Sequence, residues 1–385
     1  MKSIGIIAEY NPFHNGHLYH LNKIKEKYPD YTLILVMSGN FTERGEVSII
    51  DKFRKTEIAL KAGIDLVVEL PFPFATQSAD YFSYGAITIL EKLQVEKVIF
   101  GSESNNIEDL ECIVDAQLQS DEFDKLVAIY SKFGNNYPTS LSLALKDLTG
   151  KIIDTPNDLL GISYLKTIKK NHYKIKAETI KRSNNYHEEE LENDISSATS
   201  IRNALKEKKD ISNQVPEYVL PYLTDLHFIE DYFNFIKYKI ITEKDLSIYQ
   251  TVTEGIDHLM KKEIIHCNSY HEFIDKLKSK RYTHNKIQRM LLHILVGFTK
   301  EEAKGMQEIT YIRLLGFSSN GKKYLNSIKK EIDIPIISKI NRNKDKMLEF
   351  EIQTTSIYAL TSKKYKETID EEYKNHLNKG VNEND

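Results

Sequence analysis

The apolar positions fall into short continuous runs separated by longer stretches of helical spacing. Ile4 to Ala8, Tyr31 to Met37, Asp65 to Leu70 and Glu96 to Phe100 are runs of five to seven residues bounded by polar or turn residues. That is the pattern of strands covered on both faces. Between them the apolar residues return every third or fourth position. One helix starts near His17 and continues through Leu18, Leu21 and Ile24; a second spans Asp51 to Ala62, capped by Asp51 or Ser48 and stopped at Gly63; a third covers Ala79 to Leu93. Residues 105 to 150 read as helical and carry no recognisable chemistry. Another helix opens at Pro156, and Tyr173 to Ile180 predicts a fifth strand. Strands alternating with helices predict a parallel sheet with helices on both faces, whose ligands bind beyond the carboxyl ends of the strands. The loops 9–17, 38–45, 71–78 and 101–104 fall at those ends.

Past residue 210 the pattern changes. Gln214-Val215-Pro216 and Leu220-Pro221 interrupt the helical spacing and suggest a linker from Asp210 to Pro221. The remainder reads as mostly helical. Its best helix runs from Thr283 to Phe298, with Ile287, Met290, Leu291, Ile294 and Leu295 as the apolar stripe. The expected fold class is therefore α/β, a Rossmann-like parallel-sheet domain over 1–210 followed by a mostly α-helical domain over 211–385.

Composition narrows the setting. No apolar run approaches the ~20 residues needed to span a bilayer, and Met1-Lys2-Ser3 leads straight into a strand, so neither a membrane segment nor a signal peptide is expected. The two cysteines, Cys112 and Cys267, are isolated, which excludes a disulfide framework or a cysteine-based zinc cluster and suits a reducing cytoplasm. The net charge is −3, yet residues 281 to 350 hold 14 Lys and Arg against 7 Asp and Glu. A basic stretch on a weakly acidic chain is what contact with a phosphate backbone requires; a solvated charged face explains the same count equally well.

Candidate chemistry concentrates where the first strand ends. Asn11-Pro12 turns the chain, and His14-Asn15-Gly16-His17 brings two imidazoles to the start of the next helix. A helix N-terminus collects anions, and Gly16 lets a ligand approach the backbone closely. The arrangement suits a triphosphate whose α-phosphorus is attacked while pyrophosphate leaves. After a polar loop from Ser183 to Asn193, Ser196-Ser197-Ala198-Thr199-Ser200-Ile201-Arg202 opens another helix, where the hydroxyls either cap the backbone or, with Arg202, hold the outer phosphates. Gly316-Phe317-Ser318-Ser319-Asn320-Gly321-Lys322-Lys323 has P-loop spacing but ends in Lys, so the hydroxyl that would ligate Mg²⁺ is missing and no parallel sheet is predicted around it.

These residues resemble the two signatures of the HIGH-type nucleotidylyltransferases, and more closely the bacterial tRNA(Met) cytidine acetate ligases. Tyr10-Asn11-Pro12-Phe13-His14-Asn15-Gly16-His17, Ser38-Gly39-Asn40-Phe41, Glu69-Leu70-Pro71, Phe100-Gly101-Ser102-Glu103, Pro156-Asn157, Lys280-Arg281-Tyr282-Thr283 and Leu314-Leu315-Gly316-Phe317 carry the resemblance nearly end to end. It implies activation of acetate by ATP as acetyl-adenylate, then acetylation of N4 of the wobble cytidine in elongator tRNA(Met). No acetyl-CoA is required, and Mg²⁺ is held through the phosphates rather than by a protein metal site. Carried over by position, Ile7, Ala8, Glu9, Tyr10, Asn11, Pro12, Phe13, Asn15, Gly16 and His20 bind ATP. Gly101, Asn157, Arg182, Ser200 and Arg202 join them, and His14 and His17 are catalytic. Pro156-Asn157-Asp158-Leu159-Leu160-Gly161 departs slightly at Asp158, which bears on adenosine contacts. Arg281, Lys286, Arg289, Lys322 and Lys323 are the expected tRNA contacts. A flipped cytidine calls for aromatic stacking, for which Tyr10, Phe13 and Phe41 are placed, unless they simply pack in the core.

Two other functions fit parts of the pattern. A coenzyme adenylyltransferase acting on a small phosphorylated acceptor would use the same turn but needs little beyond one α/β domain. A non-catalytic RNA-binding factor would keep the fold without needing intact His14 and His17. Acetate-dependent ATP–pyrophosphate exchange tests the first, and modification of tRNA by His17→Ala the second.

Overall fold

In the computed structural model, which describes residues 1–119, 121–135, 137–151, 155–182, 197–253, 255–340 and 345–374, the chain builds one seven-stranded sheet. The strands are β1 (Ser3–Ala8), β2 (Thr32–Ser38), β3 (Leu66–Leu70), β4 (Lys97–Ser102), β5 (Lys176–Lys181), β6 (Ile312–Phe317) and β7 (Ile336–Ile337). Their order is β5-β4-β1-β2-β3-β6-β7. The five expected strands are present and run parallel, with Ile6 opposite Leu35, Met37 opposite Glu69 and Gly101 opposite Ile180. The chain steps outward from β1 through β2 and β3, then crosses back to set β4 against the other side of β1. A crevice opens at such a reversal, beyond the carboxyl ends of β1 and β4.

Alternate residues of the strands feed two cores. Ile34, Val36, Leu66, Val68 and Val98 pack with Phe82, Leu90, Tyr164 and Leu165 on one face. Leu33, Leu35, Met37, Val67 and Ile99 pack with Leu21, Ile24, Ile58 and Ile201 on the other. Covering both faces explains why the runs are apolar without alternation. Gly5 permits the close layer: a Cβ there would lie 2.6 Å from Leu90 Cδ1.

The sheet does not end at residue 210. β6 joins the edge of β3 antiparallel, Glu69 opposite Arg313 and Leu66 opposite Phe317, and β7 follows it in parallel. Leu314-Leu315-Gly316-Phe317 is thus a strand within a region expected to be mostly helical, because its apolar run is short enough to be hidden by the helical sequence on either side. The expected linker is also packed in place. A 3-10 helix, Glu217–Tyr222, puts Val219 in the core, and the carbonyls of Asn213 and Gln214 accept the side-chain and main-chain N–H of Asn15 at 2.7 and 2.9 Å. The prolines break the helical period there without freeing the chain. The remaining helices of the second half include Phe233–Thr242, Ile256–Ile264, Tyr270–Leu277, His284–Val296 and Lys346–Tyr358. The loop expected from Ser183 to Asn193, and Ser196, lie outside the described residues.

A buried charged cluster fastens these parts together. Lys52 Nζ lies 2.7 Å from Glu69 and 2.5 Å from Glu372, while Arg313 donates to the Glu372 carbonyl at 2.9 Å. Glu351 accepts the Phe72 N–H at 2.7 Å, and burial together with the neighbouring Glu69 pushes its carboxyl well above the usual carboxylate range.

Candidate active site

A cleft of about 820 Å³ lies over the carboxyl ends of β1, β4 and β5. That is the right scale for a nucleotide. Its floor is the turn after β1. Tyr10 takes a φ of +48° there, a left-handed conformation that an aromatic residue rarely adopts; its ring is clamped 4.8 Å from Phe13 and 4.8 Å from His17.

His14 is the N-cap of the helix Asn15–Lys27: its Nδ1 accepts the Gly16 N–H at 3.1 Å. His17 Nδ1 accepts the His14 N–H at 3.3 Å, and the two rings stack with centroids 3.8 Å apart. Burial, with Arg182 and Arg202 nearby, lowers His14 to about 3; burial, His14, Arg182 and His20 hold His17 well below its ordinary value. Burial and Arg182 bring His20 to about 4, and among the described residues its buried Nε2 has no hydrogen-bond partner. Both stacked rings are therefore neutral at physiological pH. Because each Nδ1 already accepts a backbone proton, the ring proton sits on Nε2. The turn thus offers two neutral N–H donors and a positive helix terminus to one bound group.

The rest of the cleft is strongly cationic. Arg182, following β5, donates to Asn157 Oδ1 at 3.3 Å, and Asn157 in turn donates to Glu103 at 2.5 Å. Arg202 reaches back from the helix Ala198–Lys206 to the Asn11 carbonyl at 2.8 Å and to Glu46 at 2.8 Å. Arg289 spans to the Glu43 carboxylate at 2.8 Å and to its carbonyl at 3.1 Å. Gly101 keeps the β4 end open: a Cβ there would meet Arg182 Cγ at 3.1 Å.

Of the expected residues, Ile7, Ala8, Glu9, Tyr10, Asn11, His14, Gly16, His17, His20, Gly101, Asn157, Arg182, Arg202, Arg281, Lys286 and Arg289 line this one cleft. Others do not. Phe13 is core beneath His17, at 1% exposure, and Pro12 turns the chain. Asn15 faces Asn213 and Gln214. Ser200 is buried and donates its hydroxyl to the Ser197 carbonyl at 2.8 Å, so it completes the cap made by Ser197. Phe41 packs edge-on against Phe72 and Tyr358 in the core. Asp158 accepts the Ser102 hydroxyl and the Ser104 N–H, fastening the loop after β4.

Lys322 and Lys323 lie at the opposite edge of the sheet. β6 runs antiparallel to β3, so the helix it delivers, Ser319–Ile328, begins beside the start of β3. Strands of this length place that edge ~15–20 Å from the cleft. The P-loop-like spacing there holds no phosphate cradle: Ser318 donates to Asp65 at 2.7 Å, and a Cβ on Gly321 would sit 1.9 Å from the Asp65 carbonyl oxygen. Lys181, expected at this sheet edge after β5, lines the cleft as well, together with residues not anticipated from the sequence, among them Arg44, Glu46, Tyr164 and Lys166. Arg44 and Glu46 belong to or adjoin a loop already expected at this edge. Tyr164 and Lys166 lie on a helix whose inward face only packing decides.

A family model described as HIGH Nucleotidyl Transferase matches residues 1–373. Curated relatives match across nearly the whole length. A tRNA(Met) cytidine acetate ligase of Geobacillus sp. (strain WCH70) is 39% identical over 381 residues, covering 93% of this chain and 94% of that one. One from Caldicellulosiruptor saccharolyticus is 40% identical over 392 residues, with 98% of both covered. The chain belongs to the tRNA(Met) cytidine acetate ligase family. Solved structures of Thermotoga maritima TmcAL share the family fold. The apo form matches with a TM-score of 0.89 at 31% identity over 96% of each chain. The form bound with alpha-thio ATP matches with a TM-score of 0.86 at 30% identity over 97% of each.

Proposed function

We propose that the protein activates acetate with ATP, releasing pyrophosphate, and transfers the acetyl group to N4 of the wobble cytidine of elongator tRNA(Met). The observation that carries this reading is the stacked pair of neutral imidazoles at a helix start, directly over the sheet reversal. Two preorganised Nε2–H donors and the helix terminus stabilise charge that develops on the α-phosphate as acetate attacks. Arg182 and Arg202 line the same cleft, where they would meet the outgoing phosphates. Acetate is a poor acyl donor; adenylation turns its oxygen into a good leaving group. Mg²⁺ held through the phosphates would enter with the triphosphate and offset its charge.

The tRNA side of the reading rests on the cleft rim. Arg281 and Lys286 border the opening with Lys166, Lys181 and Arg44, giving a basic margin for an RNA backbone. The test is nucleoside mass spectrometry of tRNA incubated with protein, ATP, Mg²⁺ and labelled acetate. Labelled N4-acetylcytidine formed without acetyl-CoA supports the reading. Its absence, or a requirement for acetyl-CoA, overturns it. Pyrophosphate exchange independent of acetate favours a coenzyme adenylyltransferase instead.

A further inference from the structure

Acetyl transfer to cytidine requires more than an activated acid. The exocyclic amine is weakly nucleophilic because its lone pair is delocalised into the ring, and it must lose a proton as the amide forms. His14 and His17 are poorly suited to take that proton, since each Nδ1 is engaged and each Nε2 already carries hydrogen. We propose that Glu9 is the general base for acetyl transfer; the proposal rests on the ligase reading above.

Glu9 is the residue that follows β1, and it lines the cleft with the two imidazoles. Its carboxylate is anchored on one side only. Oε1 accepts the Glu43 N–H at 2.7 Å and the Ser38 hydroxyl at 3.4 Å. Among the described residues Oε2 takes no hydrogen bond, and no Lys or Arg forms an ion pair with the group. A base needs that geometry: one oxygen fixed, the other free toward the substrate.

The surrounding charges suit the role. Lys55, the nearest ammonium, spends its protons on the carbonyls of Glu9, Ser38 and Gly39 at 3.0, 2.8 and 2.7 Å rather than on the Glu9 carboxylate. Glu43 and Arg44 face Glu9 from the loop after β2, Tyr164 from the helix Pro156–Lys170, and Arg289 acts at one remove by holding Glu43. Burial, with the Glu43 charge adding to it, pushes the Glu9 carboxyl up to about 7 against the Glu43 N–H, Arg44 and Lys55. A carboxylate titrating there accepts a proton far more readily than an ordinary one and still exists as the anion at neutral pH. His20, near 4, is the weaker base.

In the step itself, the N4 lone pair bonds to the acetyl carbonyl carbon. The bond from that carbon to the adenylate oxygen breaks, its electron pair leaving with AMP. The N4 proton moves to Glu9 Oε2 and then to solvent, restoring the carboxylate.

The experiment is single-turnover transfer from preformed acetyl-adenylate to tRNA, followed across pH, beside acetate-dependent pyrophosphate exchange. For the unaltered protein the transfer rate is expected to rise with pH, inflect near 7 and level off. Glu9→Gln is expected to slow transfer about 100-fold more than it slows exchange and to remove the inflection. Glu9→Asp keeps a carboxylate and is expected to retain the inflection at a reduced rate, which separates chemistry from a folding defect. Glu9→Gln transferring within about threefold of the unaltered protein overturns the proposal, as does an equal loss in transfer and exchange or an unchanged pH profile. Unaltered protein that forms no N4-acetylcytidine from acetyl-adenylate refutes the ligase reading itself.

Discussion

His14 and His17 stack at 3.8 Å between centroids, a distance at which two imidazolium charges would repel, and burial keeps both rings neutral. Their value to a nucleotide is directional: two N–H groups that need no reorganisation when charge develops. His17→Ala is expected to reduce acetate-dependent pyrophosphate exchange by about 100- to 1,000-fold, the loss typical of one oxyanion donor, with circular dichroism unchanged. The same burial sets a pH dependence of stability. The folded values for His14 and His20, about 3 and about 4, lie below the ordinary 6.5, so the folded protein binds fewer protons than the unfolded chain. That contribution is fully present above pH 6.5 and is lost as pH falls from 6.5 toward 4 and 3. Thermal melts between pH 7.5 and 4 should show the decline, and a His14→Asn, His20→Asn protein should show a shallower one.

At the scale of elements, the loop 38–46 is the joint between the two halves. Gly45 sits at φ +79°, and a Cβ on it would lie 2.5 Å from the Arg289 backbone nitrogen, so the loop lies flat on the helix His284–Val296. Arg289 then grips Glu43, whose N–H holds Glu9. Arg289 is therefore engaged inside the cleft by Glu43, which ties it to the loop that holds Glu9. Arg289→Ala should lower the transfer rate more than it weakens tRNA binding, measured by single-turnover kinetics beside filter binding. Gly321 tests the other sheet edge. Gly321→Ala drives a methyl group into the Asp65 carbonyl and is expected to cost about 3 kcal/mol by urea denaturation, with no direct effect on the nucleotide site.

Across the whole molecule, the chain folds back on itself before the sheet is complete. Lys52 and Glu69 come from the first third and Arg313, Glu351 and Glu372 from the last, yet all five are buried together. Removing one partner of a buried charge pair leaves the others uncompensated. Lys52→Met is expected to destabilise the protein by about 3–5 kcal/mol, read by chemical denaturation. For the same reason residues 1–210 alone should not form a stable domain: without β6, the apolar edge of β3 is exposed to pairing with other chains. Aggregation of that fragment on expression is the expected outcome. The basic surface divides by position as well. Arg281→Ala with Lys286→Ala should flatten the salt dependence of tRNA binding by roughly one unit of slope per lost phosphate contact. Lys322→Ala with Lys323→Ala, at the far edge, should leave it unchanged.

The amino-acid order by itself determined the five parallel strands, the helices between them and the placement of His14 and His17 at a strand-to-helix turn. Those features follow from nearest-neighbour rules: apolar runs, caps, prolines and the anion affinity of a helix start. Tertiary structure alone decided which hydroxyl faces the cleft and which closes a cap, as with Thr199 and Ser200 on one helical turn. It also decided that Leu314 to Phe317 would be a strand, because an edge of β3 waited for it. Finally, it made Glu9 one-sided. The carboxylate owes its raised affinity for a proton to burial beneath a loop from β2, held by a helix in the last third of the chain, and no local pattern encodes that.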